Sequence, residues 1–325
     1  MNVLVVGGAG YIGSHMVKYL GAQGCFVTVL DNLSSGHRDA VLCGELIEGD
    51  LADCEFLDQL FERQSFDVVM HFASSIMVGE SVAKPSLYYR NNVTHTQNLL
   101  DAMVKHDVSQ FIFSSTAAIF GEPEYTPIDE LHPKCPINPY GRSKWMVEQI
   151  LEDYDRAYGL KSICLRYFNA AGADPECKLG ERHDPETHLI PLVLQAASGK
   201  RDAITVFGRD YDTEDGTCIR DYIHVHDLCS AHWLAIQNLQ HSGESKRFNL
   251  GNGNGFSVQQ LIDVCKEVTG RNIQVIDGER REGDPAVLVA DSSRARIELG
   301  WTPKFDNLNS IVSHAWAWES HRCGD

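Results

Sequence analysis

What most limits the fold of this 325-residue chain is the alternation, through its first half, of short β-branched runs with longer segments of helical period. Strands are predicted at Asn2–Val6, Cys25–Leu30, Leu46–Glu48, Asp67–His71, Gln110–Ser114 and Ser162–Tyr167. Helices are predicted over Tyr11–Gln23, Cys54–Gln64, Lys84–His106 and Pro139–Tyr158. Strands that are apolar throughout are those buried on both faces of a parallel sheet. Right-handed crossovers then lay helices on both faces, so the expected fold is α/β: a doubly wound, Rossmann-like parallel sheet. After Asn169 the texture changes. Asp174–Glu186 reads as an ordered loop or lid, Gly251–Gly255 as turns and Ser257–Thr269 as a helix. We expect one domain over residues 1–169 and a smaller C-terminal α/β domain over 170–325. Residues 217–238 are expected to return to the first domain, because Arg220–Val225 reads as a buried strand leading into a helix.

A net charge of −17 opposes any nucleic-acid or anionic-membrane surface. It leaves room for an anionic small ligand held by a local cluster of arginines. The first apolar run, Met1–Val6, is too short for a signal peptide or a spanning helix and ends in glycines. The ten cysteines show no C-x-x-C pair and no His/Cys metal spacing, so they read as reduced apolar residues, with no metal expected. That usage fits the cytoplasm.

Gly7-Gly-Ala-Gly10-Tyr11-Ile12-Gly13 follows the first strand and opens the first helix. Glycines at 7, 10 and 13 permit a tight turn, close backbone approach to a pyrophosphate, and close packing of helix on sheet. The helix N-terminus offers free N–H groups to phosphate. Alone, the pattern would also fit a plain loop. About twenty residues on, Leu30-Asp31-Asn32 ends the second strand and places a carboxylate where a ribose diol would sit. Asp31 favours NAD over NADP, although Arg38 leaves NADP open and Asp31 would also suit a turn. Asp50-Leu51, after the third strand, offers an adenine contact or an ordinary turn.

Tyr140 and Lys144, four apart at the start of a predicted helix, share one face and can address one ligand. A free tyrosine, with a pKa of about 10, is a poor base at neutral pH. A nearby ammonium and a cationic nicotinamide ring are expected to lower it, so that Tyr140 accepts a proton from a sugar hydroxyl. Thr116, at the carboxyl end of a strand, lies where doubly wound sheets bind ligands; it would equally serve as a helix N-cap.

The glycine loop, the Tyr140/Lys144 pair and Phe113-Ser-Ser-Thr116 resemble the extended short-chain dehydrogenase/reductase superfamily. His71-Phe-Ala73, Val78-Gly-Glu-Ser81, Leu165-Arg-Tyr-Phe-Asn169, Thr213-Glu-Asp-Gly-Thr217, Arg220-Asp-Tyr-Ile-His224 and Arg280-Arg-Glu-Gly-Asp284 resemble its nucleotide-sugar 4-epimerases, those acting on UDP-glucose and UDP-galactose. The likeness covers essentially the whole chain. It implies 4-epimerisation through a transient 4-ketose that turns about its diphosphate link, with NAD regenerated at each turnover. Tyr140 would be the base, Lys144 would orient the nicotinamide ribose, and Thr116 would assist at the sugar hydroxyl. Cofactor contacts are expected at Gly7, Gly10, Tyr11, Ile12, Gly13, Asp31, Asn32, Asp50, Leu51, Phe72, Ala73, Asn91, Tyr140, Lys144 and Tyr167. Substrate contacts are expected at Thr116, Tyr140, Asn169, His188, Leu189, Thr205, Phe207, Arg220, Arg281, Asp284 and Leu288, the two arginines as diphosphate ligands.

Several positions depart from the better-known members. Thr116 stands for Ser, Ile76 for a cofactor-contacting Lys, and His188 for Asn, which would bring pH dependence. Leu288 stands for a bulky Tyr and would admit N-acetylated hexosamines. A dehydratase is the nearest rival, but Ala117 and Ala118 follow Thr116 where a dehydratase carries acids. A non-catalytic NAD sensor or a purely structural module would not need both Tyr140 and Lys144. The resemblance also implies a homodimer packed through the Tyr140–Tyr158 helix and the long helix before it. Trp145, Ile150, Leu151 and Tyr154 would contribute to that surface or be buried within the monomer.

Overall fold

Successive residues of the strand Asn2–Val6 point into different cores. Val3 and Val5 join Met16, Val17 and Leu20 of the helix Tyr11–Ala22, whereas Leu4 and Val6 join Leu57, Leu99 and Leu151 on the other side. A strand covered on both faces must be apolar at every position, which is what its sequence shows. In this computed structural model, which describes residues 1–281 and 284–323, that strand is central to a seven-stranded parallel sheet. Glu282 and Gly283, the middle of the Arg280–Asp284 block, lie outside the described residues. Across the sheet the order is Lys246–Leu250, Lys161–Tyr167, Gln110–Thr116, Val68–His71, Asn2–Val6, Phe26–Asp31, Glu45–Glu48. The chain winds outward from Asn2–Val6 in one direction and then in the other. The reversal opens a crevice between the carboxyl ends of Asn2–Val6 and Val68–His71.

The six predicted strands all form, with ends displaced by at most a residue or two, and the α/β doubly wound class holds. Three details differ. The seventh strand, Lys246–Leu250, has no counterpart among the expected strands; it lies at the sheet edge, and its Lys-Arg start gives it no continuous apolar run. The strand expected at Arg220–Val225 forms as Ile219–His224 but lies outside the large sheet. It pairs with Asn169–Ala171, Gly255–Ser257 and Val287–Leu288 instead. The helix that follows it, Val225–Ser242, does return, burying Leu228, Ala231, Ala235 and Leu239 against the large sheet. The helix expected over Lys84–His106 begins at Pro85, which lacks an N–H and suits a first helical position. It then widens into a π-type turn at Tyr89–Thr94 before continuing as His95–Lys105.

A separate core gathers Ile190, Val193 and Leu194 of the helix Leu189–Ala197 with Leu261, Ile262 and Cys265 of Val258–Thr269. Ile311 and Val312 of Leu308–Cys323 complete it. Leu151 and Tyr154 are buried in the core of the large sheet, which decides for burial within the monomer over a place on a dimer surface. Trp145 and Ile150 are half-buried.

The helix Pro139–Tyr158 is fastened to the sheet by charge. Glu148, fully buried, accepts from Arg166 Nη2 at 2.6 Å and Nε at 3.0 Å, and from Ser115 Oγ at 2.6 Å. Arg166 itself is 1% exposed. Removing one member of such a pair strands a buried charge. Arg247 Nε lies 3.4 Å from the Glu148 carboxylate without a directed hydrogen bond to it, while Nη2 donates to Glu148 O, so Arg247 compensates only in part. Arg166→Met is therefore expected to destabilise the fold by about 3 kcal/mol. Urea unfolding would read this, and an unchanged midpoint would show that the pair does not hold the helix in place.

Candidate active site

The glycine loop lies at the mouth of the crevice, and each glycine has its own reason. Gly7 has φ +78°, and a Cβ there would lie 2.4 Å from the Ala73 backbone nitrogen. At Gly13 a Cβ would lie 2.1 Å from the Gly7 carbonyl oxygen. Gly10 differs, because its Cβ would meet only the Gly7 carbonyl oxygen, at an ordinary 3.5 Å. Nothing in the protein demands glycine at position 10; the space it leaves lies before the first turn of Tyr11–Ala22, which has no side-chain cap. The free N–H groups of Tyr11, Ile12 and Gly13 there suit a phosphate.

Asp31 is buried at the end of its strand, accepting from the backbone N–H groups of Ala9 at 2.9 Å and Leu33 at 2.8 Å. It thus makes the turn and also presents a carboxylate beside the glycine loop. Arg38 pairs with Glu48 on the exposed rim. Asp50 accepts from Ala52 N and Asn32 Nδ2, both at 2.8 Å, and these bonds hold it below the usual carboxylate range. Leu51 is buried, its carbonyl held by Asn98. Phe72 N donates to Val6 O at 2.7 Å, so Phe72 and Ala73 line the turn opposite Gly7. Asn91, in the π-type turn, reaches Ser75 Oγ at 3.3 Å. Ile76 is exposed. An uncapped helix start, an open Gly10 and an adjacent carboxylate together fit a dinucleotide with a free ribose diol.

The second half of the site is set by how the helix Pro139–Tyr158 begins. Asn138 caps it by accepting from Gly141 N at 2.8 Å. A Cβ on Gly141 would lie 2.4 Å from Ala118 O, so the helix start rests on the backbone just after Thr116. The Tyr140 phenol consequently lies close enough to Thr116 for the hydroxyl to stabilise its ionised form. Thr116 Oγ1 also accepts from Ala118 N at 3.1 Å, so it serves as cap and site residue together. Lys144, 2% exposed, donates to Ser74 Oγ at 2.6 Å and Ser114 O at 2.8 Å. Its ammonium lies 4.8 Å from the centre of the Phe113 ring. Tyr167 is buried beside it and hydrogen-bonds Ser114.

These contacts correct one expectation. Burial pushes the Tyr140 phenol up, and only the Thr116 hydroxyl opposes it. The Lys144 charge is spent on Ser74 and Ser114 instead of lowering Tyr140. Burial meanwhile lowers Lys144 itself to about 7, against the pull of Glu148.

Of the expected substrate residues, Asn169 donates to Asp221 O at 2.9 Å, and Leu288 lies opposite Arg220 in the second sheet. Leu288 also packs with Ala117 and Trp145 around Ile119 and Phe120, bringing that sheet to the residue after Thr116. Both expected phosphate arginines are engaged: Arg220 with Asp284 and Ile219 O, Arg281 over the Phe207 ring at 4.0 Å. Thr205 and Phe207 share the strand Ile204–Phe207. His188 precedes the helix that starts at Leu189, its Nδ1 2.7 Å from Glu181. Burial would lower His188, but Glu181 and Glu186 outweigh it and raise it to about 10, moving its titration out of the neutral range.

The segment Asp174–Glu186, expected as a loop or lid, straps the first helix together with the residues on either side of it. Tyr11 donates to Gly172 O at 2.7 Å, Lys18 pairs with Asp174 at 2.7 Å, and Arg182 pairs with Asp39 at 2.7 Å. Glu181, His183 and Glu186, which sequence reading passed over, gather around His188. Their short spacing was the available signal.

The model of the NAD dependent epimerase/dehydratase family matches residues 3–251. A UDP-glucose 4-epimerase from Halalkalibacterium halodurans is 53% identical over 318 residues, covering 98% of this chain and 95% of that protein. The crystal structure of UDP-glucose 4-epimerase from Brucella ovis in complex with NAD superposes with a TM-score of 0.95 at 49% identity, covering 97% of each chain. That from Bifidobacterium longum in complex with NAD+ and UDP gives 0.94 at 37% identity, covering 99% of each. Sequence match, fold and the geometry at the mouth of the sheet agree: the chain belongs to the NAD dependent epimerase/dehydratase family.

Proposed function

We propose that this chain is an NAD-dependent UDP-hexose 4-epimerase, an isomerase that interconverts UDP-glucose and UDP-galactose. The observation that carries the reading is the start of the Tyr140/Lys144 helix resting on the backbone just after Thr116, at the carboxyl end of the sheet whose crevice also holds the glycine loop. NAD, held by the glycine loop, Asp31, Asp50 and Phe72-Ala73, supplies a reversible hydride acceptor for the sugar C4. Tyr140 Oη takes the proton of the 4-hydroxyl and returns it, and Thr116 Oγ1 holds the same oxygen in line. Lys144 fixes the floor of the site through Ser74 and Ser114 and orients the ribose. The positive charge of an oxidised nicotinamide, when bound, would offset the burial that raises the Tyr140 phenol, so that Tyr140 would accept the proton in the occupied site. Elimination is disfavoured, because alanines follow Thr116 and the nearby Glu148 is locked to Arg166.

Asn169, His188, Leu189, Thr205, Phe207, Arg220, Arg281 and Asp284 are assigned to the nucleotide-sugar side, and Leu288 to the hexose. The first 169 residues, with the helix Val225–Ser242 and the strand Lys246–Leu250, would then serve the cofactor, and the remainder the nucleotide-sugar. A homodimer through the helix Pro139–Tyr158 and the helices before it accounts for exposed Leu87 and Met146. No helix among the described residues is long and apolar enough to cross a membrane. A cytoplasmic site suits the cysteine usage.

Incubation with UDP-galactose and no added reductant is expected to yield UDP-glucose, and Tyr140→Phe to lower kcat by about 10²–10⁴-fold. A deoxygenated ketone product, or full activity in the variant, overturns the assignment. Leu288 leaves room that a tyrosine would fill, so turnover of UDP-N-acetylgalactosamine is expected, and Leu288→Tyr should suppress it while sparing UDP-galactose. No turnover of the acetylated sugar by the unaltered enzyme refutes that reading. Lys144 has a folded pKa of about 7 against an ordinary 10.5, so between these values the unfolded chain binds the extra proton. Stability must rise with pH across that window, with the cost of burying the ammonium complete below it. Urea unfolding should therefore show the unaltered protein gaining on Lys144→Met from pH 7 to pH 10; parallel profiles contradict it.

A further inference from the structure

Glu181, His183, Glu186 and His188 bring four potential ligand atoms within 4.8 Å of one another. From His183 Nδ1 the separations are 3.1 Å to Glu181 and 3.6 Å to Glu186; from His188 Nδ1 they are 2.7 and 3.3 Å. A tetrahedral dication with bonds of about 2.0 Å spaces its ligand atoms about 3.3 Å apart, close to the middle of this set. Both imidazoles present the same nitrogen to the same carboxylates. The Nδ1 of His183 is buried and makes no directed hydrogen bond despite its short distance to Glu181. The carboxylates are 7% and 6% exposed, and the two backbone N–H groups that Glu186 Oε1 accepts, from Thr187 and His188 at 2.8 Å, compensate these buried anions only in part. Neutral imidazoles would leave the cluster at a charge of −2, which one dication cancels.

We propose that Glu181, His183, Glu186 and His188 form a closed, four-ligand site for a transition-metal dication of the Zn²⁺ class. Two nitrogens and two oxygens without sulfur favour Zn²⁺ over soft Cu⁺ and over the all-oxygen preference of Mg²⁺ or Ca²⁺. With four protein ligands the site has no open position, so its role is structural. It sits where the strap crosses the first helix, the His183 ring edge-on to Tyr11 at 6.4 Å. A bound ion would lock the strap beside the cofactor loop and fix His188 at the proposed nucleotide-sugar side. The site was missed in the sequence because two of its ligands are glutamates within an apparent loop.

The competing arrangement is a pair of imidazolium–carboxylate ion pairs with no ion. Tag-free, NAD-loaded protein is stripped with a chelator, exposed to Zn²⁺ alone at pH 8, and passed through gel filtration. About one Zn²⁺ per chain should remain, and Co²⁺ in its place should give the intense visible absorption of tetrahedral coordination. His183→Gln and Glu186→Gln should each weaken Zn²⁺ binding by at least about 100-fold, the upper end of what an outer-shell change costs. Unaltered protein that retains no Zn²⁺ and gives only the weak spectrum of hydrated Co²⁺ overturns the proposal. Folded variants that hold Zn²⁺ as tightly as the parent overturn it too. Should a variant fail to fold, the Co²⁺ spectrum of the unaltered protein still decides.

Discussion

Glu148 and Arg166 meet inside the protein with almost no solvent, and the chemistry at the other end of their helix depends on that contact. The helix Pro139–Tyr158 lies across the strands Gln110–Thr116 and Lys161–Tyr167, and Glu148 takes hydrogen bonds from Ser115 on one and Arg166 on the other. One turn back along the same face is Lys144, and one further turn back is Tyr140. A slip of the helix by one residue would rotate both out of the crevice. A hydrophobic contact would have held the helix about as firmly, but it would not have fixed rotation and translation together. Gly141 against Ala118 supplies the second point of attachment, so the helix is pinned at two places on either side of Lys144.

Burial that fixes geometry also moves protonation the wrong way for the reaction. In the protein alone the phenol of Tyr140 is pushed up and the ammonium of Lys144 is pulled down, both by desolvation. An epimerase needs the opposite at the moment of proton transfer. A cationic ring bound in the crevice would restore the balance, since a positive charge in a low-dielectric site acts strongly on a nearby phenol. On the proposed reading, proton removal by Tyr140 would then be favoured only with the cofactor in place, which suits an enzyme whose cofactor ends each turnover as it began.

Much of this was legible in the sequence because it is local. A glycine loop after an apolar strand, an acid at the next strand end and a Tyr/Lys pair four apart each declare themselves within a few residues. The rest depends on contacts distant in sequence. Lys246–Leu250 begins with two charges and becomes a strand only because Lys161–Tyr167 offers it an edge. Ile219–His224 has the pattern of a buried strand, yet pattern alone does not say which sheet buries it. The side chains of Leu151 and Tyr154 are apolar enough for an interface, and only the packing of their helix assigns them to the core. The partners of Lys144 lie 70 and 30 residues away in the chain, so no spacing rule could have supplied them.

The nucleotide-sugar side follows a different logic. Arg220 and Arg281, the residues best suited to a diphosphate, are already held by Asp284 and by the Phe207 ring. Guanidiniums positioned in advance lose less side-chain freedom when an anion arrives than free ones would. For Arg220, the anion must share or displace a carboxylate. On the proposed reading, binding energy would accumulate at the diphosphate through an exchange of partners. On the side proposed for the hexose, Leu288, Ala117 and Trp145 form a half-buried apolar patch that would give a sugar hydroxyl no polar anchor. Firm grip at one end and few anchors at the other are what a reaction requires when the sugar must present both faces to the same hydride acceptor.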